Sequence, residues 1–296
     1  MTEHVPTAIL VGVPMRLGSI SGGRFDLAPA AIMAAADRYV AHRPEEPAPM
    51  SELGVQMVQA EELRAVVSMT PQAAFDPIRR HVGVSIEDWV GRVHPHWATV
   101  IVGGDNSITR PGVHAAAAHG SIERTGLLTL DAHHDLRDTA PGLSNGNPVR
   151  ALLEDGLPGA NVAQVGIQPL ANPQQSSELA RQAGIHVVTA DAVRGRGVKM
   201  AVEEALGLLD VRVDAIYVDI DVDVLDRAFA PGCPGSRPGG LAPAQIQAAA
   251  RRCGEHPKVR AIDIVEVDPD RDVGEVTVLA AASFLLAFAS GLARRE

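Results

Sequence analysis

"GLLTLDAHHDLRD", Gly126 to Asp138, is the stretch whose reading decides the fold. Its first half is a plain apolar run of strand length. Its second half crowds aspartates, histidines and an arginine onto the end of that run. Open α/β sheets place their sites outside the carboxyl ends of the strands, so charge at this position points to chemistry. In extended backbone alternate residues share a direction, which predicts that Asp131, His133 and Asp135 converge. Carboxylate, neutral imidazole and carboxylate form a ligand set suited to Mn²⁺, Zn²⁺ or Fe²⁺. Taken alone, the triple is equally compatible with a solvated polar loop.

Working outward, further apolar runs of strand length recur at Thr7–Val13, Ala98–Gly104, Asn161–Ile167, Ile185–Ala190, Ala215–Asp221 and Val259–Val267. Between them lie stretches of helical composition: Ala28–Tyr39, Phe75–Val90, Pro111–Ala118, Gln174–Ala183, Lys199–Leu209 and Pro243–Cys253. Continuous apolar strands alternating with helices predict an α/β fold, a mostly parallel sheet covered on both faces. The Pro/Glu-rich His42–Leu53 reads as a surface loop, because the alternation resumes after it. A single domain over residues 1–296 is therefore expected.

Composition narrows the function. With 46% hydrophobic and 21% charged residues the chain reads as a soluble protein with a sizeable core. A formal net charge of −10 argues against a nucleic-acid or anionic-membrane partner. Two cysteines, Cys233 and Cys253, are too few for a disulfide framework and fit a reducing cytosol, and the N-terminus lacks a basic leader region. The uncharged run Val276–Ala293 approaches the length of a membrane span, but its alanines and its serines favour a buried C-terminal helix.

Two more strand ends carry polar residues. "AIYVDIDVDVLDRAFAPG", Ala215 to Gly232, places Asp219, Asp221, Asp223 and Asp226 close together. Burying such carboxylates unpaired costs several kcal/mol each, roughly, and divalent cations would relieve that cost. Two acidic strand ends, one bearing histidine, suggest a two-metal site that lowers the pKa of a shared water. "VIVGGDNSITRPG", Val100 to Gly112, ends a strand in a Gly-Gly turn before Asp105, Asn106 and Ser107, which also serve as ordinary helix caps.

The ordered series "GGDNS", "DAHHD", "DVDVLDRAFAPG" and "AIDIVEVDP", with "GGRFDLAPAAI" near the start, resembles the ureohydrolase family of arginases, agmatinases and formimidoylglutamases. Local features at Asp135–Arg137, Ser144–Arg150 and Val165–Asn172 look most like formimidoylglutamase. The resemblance implies a three-layer α/β/α domain, usually a homo-oligomer in the cytoplasm, with two Mn²⁺ per subunit. The motif "LDRAFAP" sets the register so that Asp221 and Asp223 are ligands, which leaves the role of Asp219 open. The resemblance then implies that Asp131 and Asp221 bridge both metals, that His133 and Asp223 complete one site, and that Asp135 and Asn106 complete the other. Asn106 stands where the family has histidine, so that metal would be held more weakly. His134 is expected to point away.

The family mechanism implies Asp135 as proton carrier and Glu266 as partner of the cationic amidine. Asn145 falls near the place of the family's pocket histidine. Arg137, Asn145, Asn147 and Arg150 are the expected substrate contacts, with Arg137 and Arg150 suited to carboxylates unless they pair with neighbours such as Asp138 or Glu154. The implied reaction is hydrolysis of N-formimino-L-glutamate to L-glutamate and formamide, a step of histidine degradation. The alternatives are a guanidino hydrolase releasing urea, a single-metal amide deacetylase, and a non-catalytic protein with a degraded metal site.

Overall fold

The computed structural model describes residues 8–39, 56–58, 61–90, 97–117 and 121–295, so the stretch expected to form a loop at 42–53 lies outside the described residues. Eight strands form one sheet: β1 Ala8–Gly12, β2 Gln56–Val58, β3 Ala98–Val102, β4 Thr125–Leu130, β5 Val162–Ile167, β6 His186–Thr189, β7 Ala215–Asp221 and β8 Val259–Val265. Their spatial order is β2-β1-β3-β8-β7-β4-β5-β6, and every pairing is parallel.

Both faces of the sheet are buried, which explains strands that read as unbroken apolar runs. Within β1, Ala8 and Leu10 join one core while Ile9 and Val11 join the other. The first core packs under the helices Ala28–Ala36, Ala190–Arg196, Val198–Asp210, Pro243–Glu255 and Val276–Leu292. The second packs under Pro71–Val90, Thr109–Ala116, Pro148–Glu154 and Gln174–Ala183. The architecture is therefore three-layered, as expected. The last helix, Val276–Leu292, is mostly buried, and among the described residues no helix is long and apolar enough to cross a membrane.

Several elements escape the sequence reading: β2 and the helices Glu61–Arg64, Pro148–Glu154 and Ala190–Arg196. Each is short, from three to seven residues, and too brief to show a period. The helix expected to begin at Phe75 begins instead at Pro71, where proline's fixed φ suits a first turn.

The four central strands, β3, β8, β7 and β4, are consecutive in the sheet. Every acidic motif of the sequence follows one of them. Gly104 at the end of β3 is a glycine because a Cβ there would overlap the carbonyl oxygen of Met15. That close approach lets Asp105 accept the N–H groups of Gly18 and Ser19 at 2.8 and 3.0 Å, which ties the loop after β1 to the sheet's edge of chemistry.

Candidate active site

The residues after β4 converge by a turn, not by the strand alternation that the sequence suggested. β4 ends at Leu130, and Asp135 adopts a left-handed backbone with φ of 52°. The cause is local: the His133 N–H donates to Asp131 Oδ1 at 2.6 Å, and an aspartate that caps the backbone two residues on bends the chain. Across the gap, Asp221 Oδ1 accepts the Asp223 N–H at 2.8 Å. His133 Nδ1 then lies 2.7 Å from Asp223 Oδ2 and 3.7 Å from Asp131 Oδ1.

Asp131, His133 and Asp223 offer ligand atoms that all lie within 4.8 Å of one another. Asp131 Oδ2 is buried and has no hydrogen-bond partner among the described residues. A hard-to-borderline donor set with an unpaired buried carboxylate oxygen fits a divalent cation such as Mn²⁺. The buried carboxylates of Asp135 and Asp221 line the same cleft.

Electrostatics agree with that fit. Burial, followed by the charges of Asp135 and Asp223, pushes the Asp131 carboxyl well above its ordinary range. Burial and the neighbouring acids raise Asp221 as well. Asp135 is pushed up to about 7, chiefly by burial. Burial would also raise Asp223, but the His133 imidazolium beside it brings it below the ordinary value. The same contact raises His133 to about 9. Without a cation the cluster gathers protons, and a bound cation takes their place.

Asn106 sits beside this cluster with its amide turned a particular way. Nδ2 donates to Asp135 Oδ2 at 2.5 Å, and Oδ1 accepts from Thr109 Oγ1 at 2.6 Å. The Asn106 N–H donates to Glu266 Oε1 at 2.8 Å, and Asn145 Nδ2 donates to the same oxygen at 3.0 Å. Glu266 is buried with a left-handed φ of 67°, and burial, then Asp105, raises its carboxyl to about 8.

His133, Asp135, Asp221, Asp223 and Glu266 line an inner cleft of about 100 Å³, together with Arg137, Asn145 and Arg237. An outer groove of about 700 Å³ adjoins it, and Arg137 lines both. Arg150 lines the outer groove and not the inner cleft, and it forms an ion pair with Glu154 at 2.6 Å, one of the two neighbours that the sequence offered. Asn147 is committed to its own loop: it accepts the Ser144 N–H and donates to the carbonyls of Asp138 and Gly142. His134 points away from the cluster, buried against Gln164 and Ser177. Arg237 escaped the sequence reading, because only the folded turn after β7 brings it to the cleft.

Asp219 has a structural place. It pairs in register with Asp263 on β8, both carboxyls are buried, and they hydrogen-bond to each other. Two carboxylates in contact share a proton, and burial followed by the Asp263 charge raises Asp219 well above its ordinary range. Asp263 Oδ2 is further held by Tyr217 Oη and Thr109 Oγ1, each at 2.8 Å.

The sequence profile of the arginase family matches residues 6–290. The chain belongs to the arginase family. Among its relatives, a formimidoylglutamase of Halalkalibacterium halodurans is 34% identical over 95% of this chain and 86% of its own length. A formimidoylglutamase of Bacillus subtilis is 33% identical, covering 98% of this chain and 88% of its own. The crystal structure of formimidoylglutamase from Bacillus subtilis subsp. subtilis superposes with a TM-score of 0.86 at 30% identity, over 100% of this chain and 89% of that one. The gathered acids lie at the carboxyl ends of the central strands, where open α/β sheets place their sites.

Proposed function

We propose that this cleft hydrolyses the C–N bond of a linear amidine, N-formimino-L-glutamate, giving L-glutamate and formamide. The observation that carries the reading is a cleft floored by buried acids with Arg137, which has no ion pair among the described residues, at its junction with the outer groove. An acidic floor suits a cationic amidine, and a guanidinium suits a carboxylate. The near-full-length likeness to formimidoylglutamases supports the same choice.

Two Mn²⁺ ions are the proposed cofactors. Asp131 and Asp221 would contribute to both, His133 and Asp223 to one, Asp135 and Asn106 to the other. Bound there, the ions supply Lewis acidity that makes water ionise near neutral pH. Asn106 offers its oxygen only if its amide turns over. Thr109 permits that, because its hydroxyl can donate to Asp263 while it accepts from the amide nitrogen.

Glu266, fixed by Asn106 and Asn145, presents its carboxylate to the amidine N–H groups. Asp135 takes the proton of the attacking water and passes it to the departing amine. Asn145 is not titratable and cannot relay a proton, so its task is to hold Glu266 in place. With Asn147 and Arg150 committed to their own loop and helix, Arg137 is the expected carboxylate contact of this set. The two cysteines are free and buried, which suits a reducing cytosol, and the family likeness suggests a homo-oligomer of the chain.

Purified protein incubated with Mn²⁺ should release formamide from formiminoglutamate and no urea from arginine, agmatine or guanidinobutyrate. Urea release without formamide would favour the guanidino-hydrolase reading. No turnover, with fewer than one equivalent of Mn²⁺ bound, would favour a non-catalytic protein.

A further inference from the structure

Arg237 is presented to the inner cleft on a turn that is itself fixed. Its Nη1 donates to the carbonyl oxygens of Pro234, Gly235 and Ser236 at 3.0, 2.9 and 3.1 Å. Ser236 Oγ in turn bonds the carbonyls of Ala230 and Cys233, both at 2.8 Å. Gly235 packs so closely on Asp223 that a Cβ would overlap the carboxylate. One edge of the guanidinium is thus occupied, and Arg237 has no ion pair among the described residues although the cleft it lines is rich in acids. A guanidinium immobilised on one edge keeps its remaining donors for a bidentate acceptor and loses little freedom on binding.

The two arginines of the cleft occupy different depths. Arg237 lines the inner cleft and not the outer groove, whereas Arg137 lines both. In N-formimino-L-glutamate one carboxylate is on the carbon that carries the amidine nitrogen, and the other lies at the end of the side chain. We infer that Arg237 binds the carboxylate beside the amidine and Arg137 the distal one, an inference that rests on the substrate proposed above. Arg237 is then a specificity-determining residue, which separates amino-acid-derived amidines from amidines lacking the neighbouring carboxylate.

The test pairs enzyme variants with substrates. Mn²⁺-loaded wild type, Arg237→Ala, Arg237→Lys and Arg137→Ala are assayed for formamide release from N-formimino-L-glutamate and from 4-formimidoylaminobutanoate, which lacks only the inner carboxylate. Wild type should prefer the diacid. Arg237→Ala should cut that preference roughly tenfold to a hundredfold, mainly through KM on the diacid, as expected for a lost charge-assisted contact. Arg237→Lys, which keeps the charge but not the fork, should fall between. Arg137→Ala should slow both substrates alike and leave the preference in place. Metal content and melting temperature distinguish a lost contact from a misfolded cleft, and Arg237→Lys carries the test if the alanine variant does not fold. Formamide release by wild type with an undiminished preference in both Arg237 variants would overturn this inference alone. Absence of formamide from wild type would overturn the proposed reaction and this inference with it.

Discussion

Replacing Thr109 by valine keeps the shape of a fully buried side chain and deletes one hydroxyl. That hydroxyl stands 2.6 Å from Asn106 Oδ1 and 2.8 Å from Asp263 Oδ2. Without it Asn106 Oδ1 loses its one hydrogen bond among the described residues, at a cost of ~1–3 kcal/mol for a buried unpaired acceptor. The hydroxyl has a single proton, so Asp263 is only its alternative acceptor and, keeping Tyr217, adds no second full loss. The added methyl returns roughly 1 kcal/mol through apolar burial. The net expectation is a destabilisation of about 1 kcal/mol. Thr109→Ser retains the hydroxyl and loses only a methyl group, about 1 kcal/mol. Equilibrium urea unfolding of metal-free protein, followed by circular dichroism, should place both variants below wild type by about 1 kcal/mol. A valine variant as stable as wild type would refute the reasoning, because the hydroxyl would then hold nothing.

Gly235→Ala should lower Mn²⁺ affinity at least roughly tenfold by displacing Asp223, a loss read by calorimetric titration of metal-free protein. Mn²⁺ binding near pH 7.5 should release protons, because His133, raised to about 9, is charged in the metal-free protein and must lose its proton to coordinate. Affinity should therefore fall as pH falls, and titrations in buffers of different ionisation enthalpy count the protons. Asp155→Asn should destabilise the protein by about 1–2 kcal/mol, since Asp155 meets Arg110 and His114 at 2.7 and 2.8 Å. Burial alone would raise Asp155, but those two partners bring it well below its ordinary value. Its stabilisation is therefore complete above about pH 4, the unfolded value, and lost as pH falls toward the folded one, which acid unfolding of the two proteins would show.

The sequence carried the sheet because both of its faces are buried, so Ala215–Asp221 and its fellows read as unbroken apolar runs. It carried the acids of the site for the same reason: polar residues at the ends of such runs have few structural explanations. The direction of Asp135 was not legible, because a left-handed residue breaks the alternation that strands obey. Nor was the pairing of Asp219 with Asp263, which depends on the register of two strands far apart in the chain. Arg150 was readable either way, and its four-residue spacing to Glu154 on one helix decided the matter. Arg237 was hidden because its place depends on a turn held by backbone carbonyls, and no side-chain pattern announces that.

Anomalous diffraction at the manganese edge, from crystals soaked in Mn²⁺, tests the central claim most directly. Two peaks in contact with Asp131 and Asp221 are predicted, the one beside Asn106 being the weaker. Strong manganese peaks elsewhere, with none at these carboxylates, would contradict the account.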